Sequence, residues 1–215
     1  NFRLLKEYVT GNKDELVLFD KEELNKAITA YIAYLPEHFE DEVYKWEALK
    51  CFQDNWDISN EIFAKMLANS LAKTANLLDV QFNFPCAMIK KYAEHDSEAV
   101  KQMFIDLYDE NKDLAIRIDT FISSSKNLQK KYPDLGNKDF QNANVVSVYL
   151  WLRYPDKYYI FKPNLDKDVL QILSSDLELK GGNGYRVKQF YTFMDAIKPE
   201  LENNKDIINI VVRCS

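Results

Sequence analysis

Few residue patterns in this chain match a catalytic or cofactor site. Residues 181–184 read Gly-Gly-Asn-Gly, the only glycine-rich stretch. A Walker A loop needs a following Gly-Lys-Ser/Thr to hold the β- and γ-phosphates and Mg²⁺, and the sequence has no such continuation. We therefore expect a surface loop at this position.

Metal-binding and nucleophilic sites find little support either. His38 and His95 are the only histidines, and neither has a second histidine or a cysteine at ligand spacing. A zinc site needs three or four convergent ligands, so we expect solvated loop positions. The carboxylates Asp106, Asp109 and Glu110 lie on the polar face of a predicted helix, where solvation is the usual role. We predict no catalytic, cofactor or metal residues, although the fold could still pair a cysteine with a histidine.

The remaining chemical signal is the interleaving of aromatic and basic residues within 139–162, the densest aromatic window of the chain. Exposed rings can stack on nucleic-acid bases, and nearby cations can meet phosphates. The alternative is that the rings fill a core, the more frequent role of large aromatics. The candidate recognition surface consists of Trp151, Arg153, Tyr154, Lys157 and Tyr159.

The segment that contains this surface is divided by a proline into two predicted elements, a buried apolar one before it and a β-prone one after it. Residues 145–152 are apolar and indicate a buried helix or strand. Pro155 disfavours helical geometry in the residue before it, and 157–162 contain β-prone Tyr, Ile and Phe. We predict a short strand there and a second one at 207–212.

Elsewhere apolar residues recur at helical spacing, and glycine (5) and proline (6) are scarce. A stripe from Leu24 to Leu35 predicts a helix that ends at Pro36. Stripes from 97 and from 114 predict two strong helices, and residues 2–9 form a short amphipathic piece. The predicted fold is mainly α with a minor β element, with α+β as the alternative.

Residues 132–137 are the best linker candidate, which gives a helical part at 1–131 and a mixed part at 132–215, packed as one domain or two. The apolar end at 207–215 suggests a fragment of a longer protein.

The net charge of −6 disfavours a dedicated DNA-binding face. Three scattered cysteines fit reduced thiols in a cytoplasmic protein, and no apolar run is long enough for a membrane helix.

Three runs carry a family resemblance. They are 148–162 (VYLWLRYPDKYYIFK), 44–57 (YKWEALKCFQDNWD) and 107–114 (LYDENKDL). Together they resemble the N-terminal regions of bacterial McrB-like AAA-family proteins, the motor subunits of modification-dependent restriction systems. The resemblance spans most of residues 40–165 but includes no catalytic motif.

The resemblance implies a parent protein that hydrolyses ATP or GTP through a C-terminal AAA module, whose nucleotide motifs are absent from this sequence. It implies that the present region is a non-catalytic targeting module of a restriction or defence system, with DNA as its expected ligand. The acidic charge favours a second hypothesis, a protein–protein adaptor that docks a partner subunit of the AAA machine. A small-molecule enzyme without a recognisable motif is the third.

Overall fold

A computed structural model describes residues 18–79 and 82–214 of the chain, with the side chains of 212–214 excepted. Within these ranges the chain forms ten α-helices, one 3-10 helix (Pro133–Leu135) and no β-strand, which confirms a mainly helical fold. The predicted amphipathic piece at 2–9 lies outside the described residues. In chain order the helices are α1 (Lys21–Asn55), α2 (Phe63–Ser70), α3 (Ala75–Leu78), α4 (Pro85–His95), α5 (Ser97–Tyr108), α6 (Leu114–Lys131), α7 (Ala143–Arg153), α8 (Pro163–Ile172), α9 (Asn183–Glu202) and α10 (Lys205–Cys214).

Both predicted strands are wrong. Residues 157–162 have an irregular backbone, and 207–212 lie within α10. The side-chain oxygen of Asn204 accepts hydrogen bonds from the backbone N–H groups of Asp206 and Ile207 at 3.0 and 3.1 Å. This is a helix N-cap, and it starts a helix in a segment whose β-branched residues alone favour a strand.

The predicted helix end at Pro36 is also wrong, because α1 continues through the proline to Asn55. A proline inside a helix costs about 3 kcal/mol, since it has no N–H to donate and crowds the preceding turn. Leu35 and Ala48, on either side of the proline, are both buried. Apolar burial is a stabilising term that acts against this cost.

The chain divides into two compact units. Unit 1 contains Asn1–His38, Lys162–Leu179 and Thr192–Ser215, and unit 2 contains Phe39–Phe161 and Lys180–Tyr191. The predicted boundary between 131 and 132 falls inside unit 2.

Unit 2 contains a core built largely from aromatic rings. Phe104 of α5 is fully buried, and its ring centroid lies 5.3 Å from those of Phe121 on α6 and Tyr149 on α7. The two long helices of this core have the predicted starts, since Asp96 accepts a hydrogen bond from the N–H of Ala99 and Asp113 accepts one from that of Ala115. These caps satisfy N–H groups that the helix itself leaves unpaired.

Unit 1 is held by mainly aliphatic side chains and by one buried carboxyl. The backbone N–H of Asp20, just before α1, donates to the carbonyl of Leu173 at 2.8 Å, which fixes the start of α1 beside the end of α8. Asp166 of α8 is buried, and its Oδ2 accepts from the N–H of Lys162 at 2.7 Å. The buried apolar residues of this unit are Leu24, Ile28, Leu35, Leu170, Leu173, Leu177, Phe193 and Ile197.

Candidate functional site

The segment after α7 is anchored by side chains of that helix instead of by a neighbouring strand. Tyr154 closes α7, and its carbonyl accepts from the N–H of Lys157 at 3.1 Å, which forms a turn around Pro155. Further on, Ser147 Oγ accepts from the N–H of Phe161 at 2.8 Å, and Asn144 Nδ2 donates to its carbonyl at 2.7 Å. Side chains therefore satisfy backbone groups that a strand partner would otherwise have to satisfy.

The five residues of the candidate recognition surface all lie on α7 or the segment after it. Trp151, Arg153, Tyr154 and Tyr159 are half-buried, and Lys157 is exposed. The guanidinium carbon of Arg153 lies 5.0 Å from the centroid of the Tyr154 ring, within the range of a cation–π contact.

The tyrosines of this surface are fixed by other tyrosines. The ring of Tyr154 meets that of Tyr108 edge-on at 5.9 Å and that of Tyr158 at 6.0 Å. The Tyr159 ring lies 5.5 Å from that of Tyr191, whose hydroxyl donates to the Tyr159 carbonyl at 2.6 Å. Edge-to-face contacts of this kind add about 0.5–1.5 kcal/mol each beyond area burial, so the rings are held in place before any ligand arrives.

A buried polar chain lies behind these rings and reaches the exposed cation. Arg117 is 5% exposed, and it donates to the Leu107 carbonyl at 2.8 Å and to the Tyr158 hydroxyl at 2.9 Å. That hydroxyl donates to Glu110 at 2.7 Å, and Glu110 pairs with Lys157 at 2.5 Å. Hydrogen bonds from Lys157 and then Tyr158 lower the pKa of Glu110, and burial raises the pKa of Tyr158.

Glu110, Arg117 and Tyr191 hold this surface in place. Sequence reasoning placed Glu110 on a solvated helix face, whereas it follows the end of α5 and bonds Tyr158 and Lys157, and it did not single out Arg117 or Tyr191. The sequence does contain an indication for Arg117, because this charged residue lies on the apolar stripe of a predicted helix, beside Ile118 and before Phe121. A charged residue at a buried position requires hydrogen-bond partners. Its hydrogen-bond partners, Leu107 and Tyr158, could not be predicted from the sequence, since they are 10 and 41 residues away along the chain.

The other two tryptophans of the chain, Trp46 and Trp56, differ in their environments. Trp56 lies in the core of unit 2, with its ring 4.9 Å from Phe52, 5.1 Å from Phe104 and 5.5 Å from Tyr108. Trp46 is 57% exposed. Core packing therefore accounts for Trp56, as it does for the buried Tyr158.

The glycine-rich loop leads into α9, and a carboxylate of the protein itself binds the N-terminus of that helix. The N–H of Gly184, in the first turn of α9, donates to the carboxylate of Asp119 at 3.0 Å. A helix N-terminus attracts anions through its free N–H groups and its dipole. Here Asp119 of α6 takes the position that a phosphate would need.

The histidines and acidic residues also have local partners. His38 stacks on Tyr34 with ring centroids 3.9 Å apart, and His95 Nδ1 lies 3.0 Å from the carbonyl of Lys91. A hydrogen bond from Lys112 lowers the pKa of Asp106, and backbone and side-chain hydrogen bonds from Asn111 lower that of Asp109. Over residues 18–79 and 82–214, no three His, Cys, Asp or Glu side chains converge as metal ligands.

No helix in the described part of the chain is both long enough and apolar enough to cross a membrane. Comparisons with protein-family models, curated proteins and solved structures give no significant match to the chain. The resemblance to McrB-like N-terminal regions therefore stays a prediction.

Proposed function

We propose that this chain is a non-catalytic recognition module that binds another protein through Trp151, Arg153, Tyr154, Lys157 and Tyr159. The observation that carries the proposal is the half-buried Arg153–Tyr154 pair, which the ring contacts of Tyr108 and Tyr158 hold in place. Tryptophan, tyrosine and arginine are the residue types that contribute most to protein interfaces. A surface ordered in advance loses less conformational freedom on binding.

The charges around the surface favour a protein over DNA. Lys157 pairs with Glu110, so one of the two cations is already neutralised within the protein. The whole chain carries a net charge of −6, which repels a phosphate backbone at long range. A protein partner can use aromatic contacts without needing an excess of cations.

One observation supports DNA as a second candidate ligand. Within the described residues, no carboxylate lies at ion-pairing distance from Arg153. A half-exposed guanidinium stacked on a tyrosine can bind a phosphate or a base edge. A single such cation supports weak binding at most, since several phosphate contacts supply most of the affinity.

The resemblance to McrB-like proteins suggests what the parent protein and the partner are. In that setting the parent protein is an AAA-family ATPase or GTPase, and the partner is a subunit of the same machine. The acidic balance of the chain supports the docking of a subunit more than the choice of a DNA target.

Isothermal titration calorimetry tests the proposal with the purified product of the gene encoded beside the parent AAA gene as the probe. We expect saturable binding that Arg153→Ala and Trp151→Ala each weaken at least tenfold. Trp46→Ala is the matched control, because Trp46 is an exposed tryptophan outside the surface, and it should bind like the wild type. Binding that all three variants retain would place the interface elsewhere.

A further inference from the structure

The two cations of the candidate recognition surface differ in their partners. Lys157 pairs with Glu110, whereas the Arg153 side chain makes no hydrogen bond or ion pair with any described residue. A guanidinium has five N–H donors in a rigid fork and is always charged. Arg153 is half-buried, so it loses part of its hydration without gaining an acceptor inside the protein.

The carbonyl groups at the C-terminal end of α7 are already bound by other donors. The side-chain amide of Gln53 donates to the carbonyls of Leu152 and Arg153. The hydroxyl of Tyr108 donates to the carbonyl of Tyr149 at 3.1 Å. Free carbonyls at a helix end attract a cation in the last turn. Because these carbonyls have other donors, the Arg153 fork is available to a group from outside the chain.

The ring beneath the guanidinium is itself fixed. Tyr154 packs edge-on against Tyr108 and Tyr158, with centroid distances of 5.9 and 6.0 Å. Burial raises the pKa of Tyr108 and the positive charge of Arg153 acts in the opposite direction, which is consistent with a guanidinium close to that hydroxyl. A cation held on a fixed ring loses little conformational freedom when it binds a ligand.

We propose that Arg153 binds a carboxylate of the protein partner, an aspartate or glutamate side chain that accepts two parallel N–H···O bonds from the guanidinium. The inference rests on the proposed function, since it gives the chemistry of the partner at the same surface. A carboxylate matches the guanidinium fork in both geometry and charge. Arg153 then determines specificity, because a partner without a carboxylate would leave the guanidinium buried and unpaired.

The charges of the surface favour a carboxylate over a phosphate. A phosphorylated side chain carries about two negative charges, and a single free cation balances only one of them. The second cation, Lys157, is paired with Glu110, whose carboxylate adds a negative charge to this part of the protein. One guanidinium and one carboxylate therefore give the better match in charge.

A phage-displayed library of random linear peptides, selected against the full chain, tests the inference. We expect the selected peptides to share an acidic residue. In each peptide, replacement of that residue by its amide should weaken binding to the wild type at least tenfold. Arg153→Gln should bind the acidic and the amide peptides equally, because the charged fork is absent. Lys126→Gln is the matched control, since Lys126 is an exposed cation of α6 outside the surface, and it should keep the preference for the acidic peptide.

The same peptides separate failure of the inference from failure of the proposed function. Peptides that Trp151→Ala weakens but that bind the wild type and Arg153→Gln equally would overturn the inference and leave the proposed function standing. Peptides that neither variant weakens, or the absence of any selected peptide, would overturn both. A phosphoserine peptide or a labelled DNA that displaces the acidic peptide at lower concentration would also overturn the inference, because a phosphate would then be the ligand.

Thermal unfolding gives an independent readout of the same residue. Since Arg153 makes no hydrogen bond or ion pair with the described residues, Arg153→Gln loses only the cation–π contact. We expect its unfolding midpoint to fall by no more than about 4 °C. A larger fall would show that Arg153 has a partner within the chain and would overturn the inference.

Discussion

Asp166 combines burial with a single strong hydrogen-bond donor. It is 3% exposed, and burial raises its pKa from 3.8 to about 7. The folded protein therefore holds this proton more tightly than the unfolded chain does. The stabilisation is fully present below about pH 4 and is lost as the pH rises to about 7, with a slope of up to about 1.4 kcal/mol per pH unit.

Urea unfolding at pH 4 to 8 checks this expectation. In Asp166→Asn the amide oxygen can still accept from the Lys162 N–H but cannot ionise, so this part of the pH dependence should vanish. Asp168→Asn, at an exposed position of the same helix, serves as the control and should keep the slope of the wild type. A wild-type slope in Asp166→Asn would show that burial does not raise this pKa.

Arg117 and Lys157 belong to one polar chain but differ in burial, so their removal should have different costs. Arg117→Ala leaves the Leu107 carbonyl and the Tyr158 hydroxyl without a buried donor, and we expect a loss of about 3 kcal/mol in the free energy of unfolding. Lys157 has a side chain that is 56% exposed, and Lys157→Ala should cost less than about 1 kcal/mol. Equal losses in the two variants, measured by urea unfolding, would contradict the described network.

At the level of elements, the packing of α9 on α6 depends on one glycine. A Cβ at Gly184 would lie 2.7 Å from the Cα of Ala115 and overlap its carbonyl, and backbone atoms cannot move aside cheaply. Gly184→Ala should therefore destabilise the protein by about 1–3 kcal/mol. A Cβ at Gly182 would meet only Asp119 Oδ2 at 3.6 Å, so Gly182→Ala should be nearly neutral in thermal unfolding. A neutral Gly184→Ala would mean that the start of α9 does not lie against α6.

The sequence predicted the helices that carry clear local signals. Regular apolar stripes correctly predicted α5 from residue 97 and α6 from residue 114. The errors came where local preference competes with distant contacts. The segment at 157–162 looks β-prone, yet side chains of α7 bind its backbone, and Asn204 starts a helix in the β-branched stretch that follows it.

Only part of the candidate surface was predictable, because local sequence patterns show which residues are neighbours in the chain but not which distant residues contact them. Its five residues are close in the sequence, so one dense aromatic window contained all of them. The groups that hold them, Glu110, Arg117 and Tyr191, come from other helices. Only the fold brings these groups together, and single-sequence patterns contain no such long-range information.

At the scale of the whole molecule, we propose that this acidic chain recognises a protein and not DNA. The net charge of the chain is −6, and Lys157, one of the two cations of the surface, is paired with Glu110, so this surface has little excess positive charge with which to release counterions from a duplex. Counterion release is what makes DNA binding both strong and sensitive to salt. Titration of the chain with DNA should therefore distinguish a protein-binding module from a DNA-binding one.

The most direct test is fluorescence anisotropy of the chain with labelled single- and double-stranded DNA, methylated and unmethylated, at about 50 mM and 200 mM salt, concentrations across which real DNA binding weakens steeply. We expect no saturable binding to any of these DNAs, even at the lower salt concentration. Saturable binding that falls steeply with salt, and that Arg153→Ala abolishes, would contradict it and identify the chain as a DNA-targeting module.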